Sequence, residues 1–174
     1  MWQVIVFVLV SAGIAFFSRA SLRHPQAHGF FRFFAFESIL ALLLLNLEHW
    51  FSKPFSAPQI VSWLLLLASL FLVVHGFYLL RVVGRPEGKF ENTTTLVTVG
   101  AYRYIRHPLY ASLLFLGWGA FCKQPSLLGG FLALAATAFL VATAKVEEAE
   151  NRRKFGADYA AYMKTTKMFI PFLF

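Results

Sequence analysis

Five long apolar segments, separated by short stretches that carry most of the charge, constrain the fold of this chain more than any other feature. A helix needs roughly 20 apolar residues to cross a bilayer core about 30 Å thick. The fourth segment is short for a complete crossing. These segments predict an all-α integral membrane protein with about five transmembrane helices and a cytoplasmic C-terminal helical tail. They cover residues 2–17, 30–51, 59–80, 108–121 and 126–144.

The composition supports a membrane protein and excludes other classes. Hydrophobic residues make up 59% of the 174 residues and charged residues only 14%, against about 45–50% and about 25% in ordinary globular domains. Intrinsic disorder requires low hydrophobicity and is excluded. The single cysteine, Cys122, excludes an internal disulfide framework and a cysteine zinc cluster, and we expect no metal site. We expect one membrane domain over residues 1–174.

The basic residues predict the orientation. If the segments alternate across the bilayer, 14 of the 16 lysines and arginines fall on one side and only Lys53 and Lys123 on the other. The positive-inside rule then predicts an external N-terminus and a cytoplasmic tail, in the inner membrane if the chain is bacterial. Because Arg19 follows the first apolar segment, we expect no cleaved signal peptide. The expected acidic partner is membrane lipid and not nucleic acid; the oligomeric state stays open.

The densest polar and aromatic cluster lies between Leu96 and Tyr110. Pro108 disfavours the helical conformation at His107 and can itself begin a helix. We therefore expect a turn at His107 and free backbone N–H groups at a helix N-terminus beside Arg106, which together make an anion site. The carboxylate of a small molecule fits such a site. The alternative is that these residues only anchor the helix at the membrane interface.

A second charged cluster follows the last apolar segment. Glu148 with Arg152, and Glu150 with Lys154, have the spacing of helical i,i+4 pairs, which is typical of a solvated face. Glu147 and Glu148 lie within one turn of the apolar helix, where an unpaired carboxylate is costly. They are therefore also candidates for binding hydroxyl groups or a cation.

The chain beyond this cluster predicts a helix end and an amphipathic return. Gly156 suits a helix C-cap. The aromatic residues and the proline that follow favour contact with the membrane surface. They are Tyr159, Tyr162, Phe169, Pro171 and Phe172.

Ionisable residues inside the apolar segments are functional candidates by default. Glu37 lies in the second segment, where Arg32, Arg81 or Arg85 can pair with it or where it can contact a substrate. His75 lies in the third segment. The sequence leaves the roles of both residues open.

Several motifs occur in a fixed order along the second half of the chain. Over about residues 76–172 this pattern resembles the isoprenylcysteine carboxyl methyltransferase family and, more loosely, the phospholipid methyltransferases of the same membrane superfamily. The first two apolar segments match only as hydrophobic helices. The motifs are Gly100-x-Tyr102-x-x-x-Arg106-His107-Pro108-x-Tyr110, Glu147-Glu148, Phe155-Gly156-x-x-Tyr159-x-x-Tyr162 and a late Pro171.

The resemblance implies an integral membrane enzyme that uses S-adenosylmethionine. It places the cofactor at the cytoplasmic face, in a region formed by about residues 96–110 and 145–172. It makes Glu147 and Arg106 the catalytic candidates, with Glu147 as a base for an amine acceptor. The implied cofactor-binding residues are Tyr104, His107, Pro108, Leu109, Tyr110, Glu147 and Glu148.

The expected reaction is methyl transfer to a lipophilic acceptor, with the carboxylate of a prenylcysteine-like or other lipidic acid as the first choice. The eukaryotic isoprenylcysteine enzymes carry arginines just before the glutamate pair, whereas this chain has Ala142-Thr143-Ala144-Lys145. Lys145, Arg152 and Arg153 are therefore the expected substrate-binding cations. A thiol acceptor, phospholipid amine N-methylation and a non-catalytic membrane scaffold that retains the fold are the alternatives.

Overall fold

A computed structural model describes residues 2–88 and 93–173 of the chain. Lys89, one of the basic residues counted above, lies outside the described residues. Within them the fold is all-α, without strands, and the predicted fold class is confirmed. Short 3-10 turns cover Leu47–His49 and Gly100–Arg103. The helices are α1 (Trp2–Leu22), α2 (His28–Leu45), α3 (Ala57–Val82), α4 (Pro108–Phe121) and α5 (Leu127–Thr165).

Four of the described helices, α1, α2, α3 and α5, are long and apolar enough to cross a membrane. The remaining helix, α4, is apolar but has only 14 residues. More than half of its residues are buried, including Ala111, Leu114 and Gly117. Since neighbouring helices cover it, α4 needs no lipid contact along its whole length.

Three helix ends differ from the predicted segments. α1 continues past residue 17 to Leu22, and α5 continues past residue 144 to Thr165. Charged residues such as Arg, Lys and Glu are good helix formers, so leaving the apolar stretch does not by itself end a helix. α2 instead ends early, at Leu45, because Asn46 turns inward and donates a hydrogen bond to the Ala120 carbonyl (3.0 Å).

The helices pack in the spatial order α1, α2, α5, α4, α3. α2 lies along α5, α4 packs on both α5 and α3, and α1 contacts α2. Among the described residues of α1 none is buried. Small side chains such as Ala35, Ala111 and Ala144 line the central contacts, which allows the close helix approach typical of membrane bundles.

Polar side chains close the bundle at the end formed by the α2–α3 connection and the α4–α5 turn, called here the opposite end. Lys123 is 2% exposed, and its ammonium donates to Gln59 Oε1 (3.1 Å) and lies 3.5 Å from the centre of the Trp63 ring. Ser62 donates to the Gly119 carbonyl (2.7 Å). These bonds join α3 to the α4–α5 turn.

The chain breaks its helix at Gly156 and then returns to the start of α4. Gly156 has φ 57° and ψ −126° inside α5, a conformation that essentially only glycine adopts, so the expected helix interruption occurs there. Residues 166–169, called here the C-terminal segment, then lie beside the residues before α4. Arg106 N–H donates to the Lys167 carbonyl (2.7 Å), and His107 N–H donates to the Met168 carbonyl (3.2 Å).

Candidate active site

The predicted turn at the start of α4 is present. His107 has φ −125° and ψ 64°, outside the helical region, and Pro108 is the first helical residue. The first turn of any helix leaves N–H groups without intrahelical partners. Leu109 and Tyr110, which belong to that turn, line a cavity. The backbone therefore presents the positive end of a helix dipole to this cavity.

Gly100 is fixed by its conformation and by a close neighbour. Its φ is +59°, and an added Cβ would lie 2.6 Å from Nε2 of His75, too close for any side chain. His75 also stacks on Phe71, with 5.4 Å between ring centres. His75 in α3 therefore packs against the turn that leads to Tyr102.

A buried ion pair joins the start of α4 to α5. Arg106 Nε donates to Glu148 Oε1 (2.6 Å), and each of the two side chains is 10% exposed. His107 Nε2 lies 3.3 Å from the same Glu148 oxygen. Glu148 therefore points into the protein and does not form the expected surface pair with Arg152.

The pKa of Glu148 reflects two opposing effects. Burial by itself raises the pKa of this carboxyl, but the hydrogen bonds from His107 and Arg106, together with their charges, outweigh burial and hold the pKa below its ordinary value. Glu148 is consequently ionised at neutral pH, as an acceptor for both neighbours.

Glu147 occupies a different position from Glu148. Its Oε2 accepts a hydrogen bond from the Tyr110 hydroxyl (2.5 Å), and its Oε1 lies 4.0 Å from His107 Nδ1. The His107 ring stacks on Tyr110, with 5.5 Å between ring centres. Glu147, His107 and Tyr110 thus form one connected polar wall.

This wall faces a cavity of about 280 Å³ that is mostly apolar, close to the lower bound of about 300 Å³ for small-molecule sites. α2 and α3 supply one side of it, and α4, α5 and the loop before α4 supply the other. The apolar lining is Phe36, Val73, Phe77, Leu80, Leu96, Val97, Leu109, Leu113 and Phe155. The polar lining is Arg32, Thr93, Tyr102, Arg106, His107, Tyr110, Ser112, Glu147, Asn151, Tyr159 and Tyr162.

Three of the lining tyrosines are held neutral. Burial raises the pKa of Tyr102, and the charge of Glu147 adds to this effect. Burial also raises the pKa of Tyr162 and of Tyr159, where a hydrogen bond with Asn151 only partly offsets it. These phenols therefore donate hydrogen bonds and do not act as bases near neutral pH.

The structure brings together part of the predicted cofactor set. Four of its members, His107, Leu109, Tyr110 and Glu147, line the cavity, together with the catalytic candidate Arg106. The other three predicted members are not among the described residues that line the cavity. Pro108 and Glu148 are buried behind the wall, and Tyr104 is 50% exposed and contacts Phe172.

The three predicted substrate-binding cations lie elsewhere. Lys145, Arg152 and Arg153 are exposed on α5, and the described lining contains none of them. Arg152 lies one turn after Glu148 on nearly the same side of α5, but residues 152–154 are exposed, so their charges are hydrated.

The sequence reasoning missed the contribution of α2. Arg32 and Phe36 lie four residues apart, on one face of α2, and both line the cavity. That spacing is the signal that could have indicated a shared face. Glu37, which Arg32 was one candidate to neutralise, accepts a hydrogen bond from Ser11 of α1 (2.7 Å).

In residues 2–88 and 93–173, no group of three or more His, Cys, Asp or Glu side chains is arranged to hold a metal ion. Two carboxylates near the wall form ion pairs within the protein. Glu148 binds Arg106 and His107, and Glu150 pairs with His28 (2.7 Å). The wall therefore offers hydrogen bonds and charge to an organic ligand.

Long apolar helices beside a cavity with a polar wall are features of a membrane protein that binds a ligand, and comparison with known families identifies the family. The phospholipid methyltransferase family matches residues 58–158, more than half of the chain. The chain belongs to this family, and the recognition of the membrane methyltransferase superfamily is confirmed. The matched range includes Arg106, His107, Tyr110, Glu147 and Glu148 and begins after α2.

Curated relatives carry a more particular name. Methanethiol S-methyltransferase 2 of Bradyrhizobium diazoefficiens is 28% identical over 155 residues, covering 78% of this chain and 58% of the relative. Methanethiol S-methyltransferase of Crocosphaera subtropica is 28% identical over 117 residues, covering 65% of this chain and 44% of the relative. This chain thus spans less than two thirds of the relatives it matches. No solved structure gives a significant match.

Proposed function

We propose that this protein is a membrane methyltransferase that transfers a methyl group from S-adenosylmethionine to a small apolar thiol. The observation that carries the proposal is the convergence of His107, Tyr110 and Glu147 on the wall of an apolar cavity at the N-terminus of α4. Family membership supports methyl transfer, and the names of the curated relatives support a thiol as the acceptor.

The donor set fits S-adenosylmethionine. Its carboxylate suits the helix N-terminus and His107, and its ammonium and ribose hydroxyl groups suit the Glu147 carboxylate. Its adenine suits aromatic and aliphatic side chains such as Leu109 and Phe155. When bound, the sulfonium would supply an activated methyl group for in-line displacement, in which the bond between that carbon and the sulfonium sulfur breaks and a neutral thioether leaves.

The protein then has to position the acceptor, exclude water and handle one proton. A thiol loses its S–H proton as sulfur bonds to the methyl carbon. Glu147 Oε1 is placed to take up that proton, since Oε2 already accepts the Tyr110 hydroxyl. The neutral phenols of Tyr102 and Tyr159 can supply hydrogen bonds without competing as bases, whereas the Tyr162 hydroxyl already donates to the Tyr102 carbonyl (2.5 Å).

The cavity walls suggest how the acceptor arrives. Val73 and Phe77 of α3 line the cavity and are 41% and 40% exposed. A lipophilic acceptor dissolved in the bilayer therefore has an apolar route to the wall. The charge distribution of the sequence supports an external N-terminus with this site at the cytoplasmic face.

A lipidic carboxylate, such as a prenylcysteine-like acid, is the second candidate acceptor. Arg32 lines the cavity from α2, and a guanidinium there favours an anionic acceptor. Lys145, Arg152 and Arg153, the cations first expected to serve this purpose, are exposed. A phospholipid amine is a further acceptor to test, given the family name.

The test is calorimetric titration of S-adenosylmethionine into the full chain in lipid nanodiscs. Saturable binding that is lost in His107→Ala and Glu147→Ala, but kept in Glu150→Ala, supports the proposal. Folded protein in lipid that binds no S-adenosylmethionine contradicts it and favours a non-catalytic scaffold. Transfer of labelled methyl groups to a short alkanethiol, a prenylcysteine acid or phosphatidylethanolamine then separates the three acceptors.

A further inference from the structure

We infer that Arg106 and Glu148 are positioning residues, which hold His107 and the C-terminal segment in place and do not themselves contact donor or acceptor. This inference rests on the proposed function, and it gives Arg106 and Glu148 different roles from those that the sequence pattern indicates. It separates the two adjacent glutamates, leaving Glu147 as the carboxylate that meets the ligand.

The hydrogen bonds of Arg106 support this assignment. Its Nε donates to Glu148 Oε1 (2.6 Å), and its Nη1 donates to the carbonyls of Thr166 (2.5 Å) and Met163 (3.4 Å). A guanidinium has five N–H donors in a fixed fork. Although Arg106 reaches the cavity edge, its Nε and Nη1 are directed at protein acceptors, so the head of the side chain acts as an internal brace.

Glu148 and Glu147 lie beside different nitrogens of the His107 ring. One oxygen of Glu148, Oε1, receives both Arg106 Nε and His107 Nε2. A carboxylate that accepts from one imidazole nitrogen fixes the orientation of the ring. Nδ1 of His107 is thereby turned towards Glu147, at 4.0 Å. The orientation of the ligand-facing histidine thus depends on a residue behind it.

The same pair holds three pieces of chain together. Arg106 precedes α4, Glu148 lies in α5 before Gly156, and Thr166 begins the C-terminal segment. The backbone bonds of Arg106 and His107 to Lys167 and Met168 reinforce this junction. Losing the pair therefore releases the C-terminal segment and the His107 ring together. Losing Glu147 instead removes a ligand contact and the hydrogen bond from Tyr110, but no described bond to the C-terminal segment.

The decisive experiment compares Glu148→Gln, Glu148→Ala and Arg106→Lys with a control that removes a buried hydrogen bond at the opposite end. Asn46→Ala is that control, because Asn46 is 2% exposed and its side chain, in the described contacts, bonds only to the Ala120 carbonyl. Each full-length variant is titrated with S-adenosylmethionine in nanodiscs, below its own unfolding temperature. Hydrogen exchange is measured on the same samples at the amides of residues 106, 107 and 167, whose N–H groups donate across this junction.

We expect Glu148→Ala and Arg106→Lys to weaken binding about tenfold, the lower end of the effect seen when a histidine that binds a metal loses its outer partner. Both should speed amide exchange at residues 106, 107 and 167. Glu148→Gln keeps an acceptor oxygen and should recover most of the affinity, and Asn46→Ala should keep all of it. If Glu148→Ala does not fold, Glu148→Gln and Arg106→Lys still give the comparison.

Wild-type affinity in folded Glu148→Ala and Arg106→Lys overturns the inference and leaves the proposed function intact. An equal loss of affinity in Asn46→Ala also overturns it, because the effect is then general destabilisation. Failure of the wild-type chain to bind S-adenosylmethionine instead contradicts the proposed function itself.

Discussion

The two ends of the bundle bury similar polar groups for different purposes. At the opposite end, the Lys123 ammonium is enclosed by Gln59 and the rings of Trp63 and Trp50. At the site end, Arg106 and Glu148 are nearly as buried, but they stand behind a wall that opens onto a cavity. A polar group that is enclosed on all sides joins helices. A polar group that is buried behind a cavity wall can instead support side chains that contact a ligand.

Buried charge at the opposite end therefore predicts a loss of stability without a loss of binding. Lys123→Ala removes a desolvated cation–π contact and leaves Gln59 Oε1 without its donor. We expect a loss of about 3 kcal/mol in unfolding free energy. Denaturant unfolding in detergent measures it, and S-adenosylmethionine affinity of the folded protein should not change. A Lys123 variant that is stable but cannot bind would break the distinction between the two ends.

Gly100 tests whether the turn before α4 belongs to the site end. Gly100→Ala places a side chain at φ +59° and 2.6 Å from His75 Nε2. The strain should lower stability by about 2 kcal/mol. It should also weaken S-adenosylmethionine binding, because this turn positions Tyr102, which lines the cavity. Thermal unfolding and calorimetry measure the two effects.

A second substitution separates steric overlap from backbone strain at Gly100. His75→Ala in the Gly100→Ala background removes the overlap and leaves the φ strain. Partial recovery of stability is expected. Complete recovery would show that backbone conformation at this position contributes nothing, and no recovery would show that the His75 contact is unimportant.

Helix identity could be predicted from the sequence, but the composition of the cavity wall could not. Apolar length gave the helices, and the His107-Pro108 pair gave the start of α4 because its cause is local. Arg32 and Phe36 were missed as residues that line the cavity, because their position there depends on how α2 packs against α5. The sequence likewise does not show that Glu148 is buried against Arg106 while Lys145, three residues earlier, is exposed.

Acid titration sharpens the contrast through Glu148. The folded-state pKa of Glu148 lies below its ordinary value, so its contribution to stability is complete above the unfolded value of about 4.3. That contribution is lost as pH falls through the folded-state pKa. Unfolding midpoints between pH 7 and pH 3 should fall for the wild-type chain and fall less for Glu148→Gln. Parallel pH curves for the two proteins would contradict the assigned charge of Glu148.

The smallest effect is expected for Glu150, which tests how far the site extends along α5. Glu150 Oε2 pairs with His28 Nδ1 at 2.7 Å, but the two side chains are 43% and 22% exposed. Solvent screens such pairs, so Glu150→Ala should cost less than about 1 kcal/mol and leave S-adenosylmethionine affinity unchanged. Differential scanning fluorimetry and calorimetry measure both quantities. Glu150 lies about one turn after Glu147, but among the two only Glu147 lines the cavity. A loss of affinity equal to that of Glu147→Ala would therefore show that the binding site extends to Glu150.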